Sequence, residues 1–389
     1  MNQSTIGTHD PTILFDEKTN HYYMYSTDTE LDGTITKGIQ IRKSKDGVNW
    51  EYLSTAFNGI PESVYEYTNP SNLWAPDVIK HDDQYLMYYS ASIFGTNKSC
   101  INLATAPTPE GPWVDRGLVI KTNPNVDKQN AIDANVFFDR DEKMWMVYGS
   151  FFSGIYVVEM DPKTYLIKSK DDIGTCIARR TLNVEGAIEG PFIYYHKDLD
   201  MYYLFTSYDF LHNTYNIRVA ASKNVQGPYL DIAGNTMFGA FEMPHSNGSK
   251  ILGSYHIDIE PYYISIGHNS ILDVQGKQYL VAHARLNGHP HKHYLFKREL
   301  IWLDNGWPVP AFGEVIKQNQ AFDYDKEYEL VFFDKTNNQI AKAQNTKLNP
   351  RWKMISYTTC VDQKHEVLGI SGIDENNQIF FGYQKGEKD

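Results

Sequence analysis

Three carboxylates stand in comparable settings along the chain: Asp10 between His9 and Pro11, Asp133 between Ile132 and Ala134, and Glu189 between Ile188 and Gly190-Pro191. Each follows polar or turn-like sequence and precedes an apolar, strand-like run. A lone carboxylate of this kind is ordinarily solvated or caps a turn. Three at equivalent positions of a repeated unit would point at a common axis. Like charges held that close raise at least one pKa, a cost that only a function would use. Glycoside hydrolysis needs such a set. One acid protonates the departing oxygen, an ionised partner activates water or attacks the anomeric carbon, and a third carboxylate raises and orients the acid. The other chemistry open to an acidic cluster is the binding of a hard cation.

The elements that would position these groups recur five times. Aromatic-rich runs read His21–Ser26, Gln84–Ser90, Met144–Ser150, Met201–Ser207 and Gln278–His283. Counted from Tyr22, Tyr85, Trp145, Tyr202 and Tyr279, the steps are 63, 60, 57 and 77 residues. A short polar motif precedes each run: His9-Asp10-Pro11, Trp74-Ala75-Pro76-Asp77, Ile132-Asp133-Ala134, Ile188-Glu189-Gly190-Pro191 and Gly267-His268-Asn269. Amphipathic helical periodicity is hard to find, turn signals such as Asp46-Gly47 and Asn287-Gly288 are dense, and Gly111-Pro112-Trp113 and Gly227-Pro228-Tyr229 look like one feature in two repeats. Four strands of about five residues per unit fit a propeller blade. A two-sheet sandwich has no reason to show such a period. The expected fold is therefore all-β, a five-bladed β-propeller over residues 5–318 with a small C-terminal β-rich domain over 319–389. The long fourth step predicts an insertion around 234–258, in a loop that shapes access to the central depression. The last five residues read as a frayed tail.

Composition narrows the partners. A hydrophobic fraction of 41% supports a packed core, and the net charge of −12 argues against nucleic acid, which needs a basic face. Cys100, Cys176 and Cys360 are too few and too scattered for a disulfide framework or a zinc site. No apolar run approaches a membrane span. Met1–Thr5 lacks the charged and apolar regions of a signal peptide, so the expectation is an intracellular protein or one whose leader has been removed. Oligomeric state is not legible.

The ordered set His-Asp-Pro, Leu-Trp-Ala-Pro-Asp, Ala-Ile-Asp, Ile-Glu-Gly-Pro, Gly-His-Asn and Asp-Asn-Gly-Trp-Pro resembles glycoside hydrolase family 43 over residues 8–310, and within it the arabinan-degrading branch. The stretches Tyr89–Asn97 and Tyr148–Ile155 carry the same resemblance. It implies Asp10 as general base, Glu189 as general acid, Asp133 as the carboxylate that raises the acid's pKa, and inversion at the anomeric centre. It further implies sugar contacts from Trp74 and Phe94, Phe152 where arabinanases carry Trp, Arg298 pointing towards the pocket, and His268 beside a calcium ion near the axis. Asp77 and Glu185 read as structural, and His289-Pro290-His291-Lys292-His293 as a solvated turn. Ala134 in place of Pro and the stretch Phe210-Leu211-His212 also depart from the family pattern. The substrate implied is arabinan or its oligosaccharides. The alternatives are an arabinofuranosidase or β-xylosidase of the same family, and a non-catalytic carbohydrate-binding propeller.

Overall fold

A computed structural model describes residues 3–31, 33–361 and 365–386. Five sheets follow one another along the chain, with innermost strands Thr12–Asp16, Trp74–His81, Asn135–Phe138, Ile188–His196 and Tyr263–Val274; all are antiparallel except that the fifth adds Tyr255–His256 paired in parallel with Ala341–Lys342. These innermost strands touch in cyclic order, the fifth against the first, which is the closure of a five-bladed propeller. The start of the chain seals the seam: Gly7 N–H donates to His293 O at 2.9 Å, and Ile6 bridges Tyr294. The five aromatic runs of the sequence are the second strands of the blades. Blades pack on both faces of these strands, so their residues are buried with little alternation, as in Gln84–Ser92.

The tyrosine excess follows from that packing. A tyrosine body fills the space between blades while its hydroxyl satisfies a turn carbonyl next door. Tyr25 Oη donates to Pro109 O at 2.6 Å and Tyr88 Oη to Tyr165 O at 2.9 Å, and Tyr203 reaches Gly306 O. The two Gly-Pro-aromatic motifs correspond in both being cis; the first leads into the outer strand Val114–Thr122 and the second into the bridge of Leu230 with Ala221.

Three features differ from the sequence expectation. A seven-residue helix, Glu62–Thr68, links blades one and two; it starts after Pro61 and ends at left-handed Asn69. It is too short for its periodicity to stand out. The C-terminal sheet begins earlier than residue 319, because Glu314–Gln318 pairs with Lys353–Val361 and not with blade five. The sheet also holds Tyr328–Phe333 paired with Ile379–Gln384, the two strands anticipated there. It shares one apolar core with blades four and five, through Tyr255, Phe296, Phe312, Phe333 and Phe381. The insertion lies mainly between Asn216–Ser222 and Ser249–Leu252 of blade four. Residues 387–389 of the expected frayed tail lie outside the described residues. Among the described residues no helix is long and apolar enough to cross a membrane.

Candidate active site

Around one end of the axis, each blade enters through a residue in the left-handed region: Asp10 (φ 49°), Ala75 (42°), Asp133 (61°), Gly190 (54°) and His268 (51°). Four of the five carry a side chain there, a conformation costing about 1–3 kcal/mol each and concentrated at functional sites. Register breaks at Trp74/Asp77, Glu189/Phe192 and Gly267/Ser270 mark the same bulge in three blades. Gly190 is glycine for two reasons. Its φ is positive, and a Cβ would sit 3.1 Å from His268 Nδ1. A Cβ at Gly267 would lie 2.0 Å from the Tyr215 ring, so that contact also excludes any side chain.

A relay between blades holds these residues. Near the end of the second strand of each blade, or just past it, a polar residue engages the entry segment of the next blade. Ala75 N–H donates to Thr27 Oγ1 (2.8 Å), Asp133 N–H to Ser90 Oγ (3.0 Å), His268 N–H to Ser207 Oγ (2.7 Å) and Asp10 N–H to His283 Nδ1 (3.2 Å). At the remaining junction Ser150 Oγ donates to Glu189 Oε2 at 2.9 Å. The recurrent terminal Ser of the sequence repeats was the available signal for this relay.

The carboxylates meet different surroundings. Asp10 receives His9 Nδ1 (2.7 Å) and Thr27 Oγ1 (2.6 Å) on Oδ2, and His268 Nδ1 lies 3.2 Å from Oδ1. Burial opposes its ionisation, but the charges of His268 and His9 outweigh it and hold the carboxyl well below the usual range. Asp133, whose Oδ2 accepts from Gly190 N–H at 3.2 Å, is pushed up to about 7 by burial; His268 opposes the shift and Glu189 and Asp10 reinforce it. Burial likewise raises Glu189, against a hydrogen bond from Tyr215 and the charge of His268. His268 itself is raised, because Asp10, Asp133, Glu189 and Asp77 together overcome its burial. One end of the axis thus holds an ionised carboxylate, an imidazole favoured as its cation, and two carboxyls shifted towards their neutral forms. Asp77 sits beneath them, accepting from Val136 N–H (2.7 Å) and Asn135 Nδ2 (3.3 Å), and burial lifts it to about 7.

His9, Asp10 and His283 form a candidate metal-coordinating group, the His9 and His283 rings stacked 4.1 Å apart. His283 Nδ1 accepts the Asp10 N–H, and burial with His9 nearby depresses its pKa to about 3, so its approach to Oδ1 is no charge pair. His9, His283, Ser150, Thr27 and Tyr215 were not singled out from sequence. The distant Tyr215 enters because blade four folds it against Gly267.

Trp74 and Phe94 meet edge to face at 6.5 Å on the rim of blade two, Phe94 89% exposed, and partly exposed Phe152 occupies the corresponding loop of blade three. Two expectations require correction. Arg298 is not brought to this site: its Nη2 is 2.7 Å from Glu260 Oε1 and 3.1 Å from Tyr255 Oη, inside the core shared with the C-terminal sheet. It sits past the middle of its strand, opposite Leu280, while His283 at the axis end lies opposite Leu295. His293 is no solvated turn residue. It turns inward with its ring 4.2 Å from His9, and only its neighbours His289–Lys292 are exposed.

Comparison with known proteins shows what the chain is similar to. The family described as Glycosyl hydrolases family 43 matches residues 5–308. An extracellular endo-alpha-(1->5)-L-arabinanase of Thermotoga petrophila is 32% identical over 88% of this chain and 79% of its own. The extracellular exo-alpha-(1->5)-L-arabinofuranosidase ArbA of Cellvibrio japonicus is 32% identical over 78% and 86%. The crystal structure of the family 43 YxiA protein from Bacillus licheniformis superposes with a TM-score of 0.83 at 27% identity, covering 98% of both chains.

Proposed function

The chain belongs to glycosyl hydrolases family 43 and is a glycosidase of its arabinanase and arabinofuranosidase branch; from that premise we propose that it hydrolyses α-1,5-linked L-arabinan or arabino-oligosaccharides with inversion. The observation that carries this reading is the convergence of Asp10, Asp133 and Glu189 at one end of the axis in unlike surroundings, with His9 and Thr27 on Asp10 and Ser150 on Glu189. Asp10 is held ionised and Glu189 is raised towards its neutral acid. Asp10 then acts as general base. It takes a proton from a water whose oxygen attacks the anomeric carbon, and the bond to the departing sugar oxygen breaks on the opposite face. Glu189, the general acid, delivers its proton to that oxygen. Inversion calls for a separation of about 6.5–9.5 Å between the two groups, so that a water fits. Asp133 is assigned as modulator: its hydrogen bond from Gly190 N–H fixes the backbone beside Glu189, and the two neighbouring carboxyls oppose each other's ionisation, which raises Asp133 on top of its burial.

Trp74, Phe94 and Phe152 are proposed to stack on sugar faces. The catalytic unit is assigned to residues 5–313, with the C-terminal sheet as a buttress against blades four and five. A calcium ion near the axis remains part of the proposal. His268 lies among four carboxyls that supply the oxygen-rich surroundings calcium takes, whereas the His9, Asp10 and His283 set is nitrogen-rich and suits a softer cation. Calcium bound by neutral His268 and waters would displace the imidazolium proton and supply the positive charge beside Asp10 in its place. Elemental analysis of the purified protein, before and after chelation, tests this. An ion lost together with melting temperature supports it, and untreated protein without calcium contradicts it.

Incubation with debranched arabinan tests the function as a whole. The wild type should release arabinose or arabino-oligosaccharides, and Asp10→Ala and Glu189→Ala, folded, should not. Sugar binding without release would identify a binding propeller, and variant activity within about tenfold of wild type would remove the assigned roles.

A further inference from the structure

The insertion in blade four carries exposed apolar side chains on a loop that is firmly anchored. Phe241 and Met243 are 66% and 63% exposed and Phe238 is partly exposed. Leu182, 81% exposed, precedes Asn183, whose side chain holds the same loop. Solvent alone gives no reason to fix such residues in place. Surface patches of this kind mark a surface that something covers.

The anchoring is specific. Residues 237–239 pair with the outer segment of blade three: Arg179 N–H donates to Met237 O at 3.0 Å and Gly239 N–H to Arg179 O at 2.8 Å. Asn183 Nδ2 donates to Phe241 O at 2.8 Å. The fully buried Arg180 guanidinium ties the same loop to the acid's own segment. It donates to Pro244 O at 3.3 Å, to Ala187 O at 2.8 Å and to Asp209 Oδ1 at 2.6 Å, and meets His245 Nδ1 at 3.0 Å. Ala187 stands two residues before Glu189, and Phe151 N–H donates to Ile188 O at 2.7 Å, which places the Phe152 loop beside the same segment. The apolar surface is therefore continuous with the segment that presents the acid.

We propose that the insertion is a specificity-determining wall, with Phe241, Met243 and Leu182 as a platform for sugar units of a polymer beyond those at the point of cleavage. This rests on the arabinan-hydrolase reading above. Its chemistry fits a 1,5-linked furanose chain, whose ring C–H faces and exocyclic methylenes give apolar contact in a substrate without charge. Side chains at this rim would contact a chain running outward from the carboxylates, but not a single aryl-linked sugar.

The test compares wild type with Phe241→Ser/Met243→Ser, and separately with Leu182→Ser, on debranched arabinan and on 4-nitrophenyl α-L-arabinofuranoside. All three side chains are exposed, so unfolding temperatures should stay unchanged. The double variant should lose at least about tenfold in kcat/KM on the polymer, mainly through KM, while the aryl substrate stays within about twofold, and Phe241→Tyr with Met243 intact should retain polymer activity. Unchanged polymer kinetics in both variants overturns the inference and leaves the hydrolase reading standing. So does a wild-type dimer that the double variant dissociates, since a second copy would then cover the patch. A wild type silent on both substrates removes the hydrolase reading, and this inference with it.

Discussion

At the scale of single residues, function rests on pushing two carboxyls in opposite directions. Asp10 must be ionised and Glu189 protonated in the active form. The acid limb of the pH profile should therefore lie well below the usual carboxylate range, where Asp10 finally protonates. Activity should fall on the alkaline side as pH passes the raised value of Glu189. Tyr215 lowers Glu189 through a hydrogen bond. Tyr215→Phe should accordingly move the alkaline limb of kcat/KM to higher pH and leave the acid limb in place; a shift to lower pH would contradict that bond. Asp10, Asp133 and Glu189 were legible in sequence because each stands at the head of a repeat. Tyr215, just before Asn216–Ser222, and His283, within Lys277–Leu286, were not: their local sequence gives no sign of depth. Arg298 shows the converse error. A charged residue in Lys-Arg-Glu reads as free to reach a pocket, and only tertiary structure buries it.

At the scale of elements, the repeated unit is a strand end that holds the next blade's entry residue. Ser207→Ala leaves the buried His268 N–H without its acceptor, which should cost about 1–3 kcal/mol in denaturant unfolding. It should also lower kcat more than it raises KM, because His268 stands beside Asp10. Equal stability and kcat would show that the hydrogen bond positions nothing. The five-bladed order was readable from period alone, since each aromatic run became a second strand. The short helix Glu62–Thr68 and the placement of Glu314–Gln318 were not. One is two turns long, and the other is assigned by a partner more than thirty residues away.

At the scale of the whole molecule, the propeller and the C-terminal sheet are joined through a common core, and the Arg298–Glu260 pair of blade five, at 2.7 Å, lies beside it. Removing one partner strands a charge, so Glu260→Gln should cost about 3–5 kcal/mol of stability. The kcat of the enzyme that remains folded should be unchanged. A selective loss of activity without destabilisation would return Arg298 to the substrate pocket. The central claim concerns what the assembled axis does to the glycosidic bond, and the anomer first formed reports it most directly. Proton NMR of debranched arabinan or arabinohexaose during the first turnovers should show the β-anomer of the new reducing end appearing before mutarotation. Initial release of the α-anomer, or no release with wild-type protein, would contradict the account.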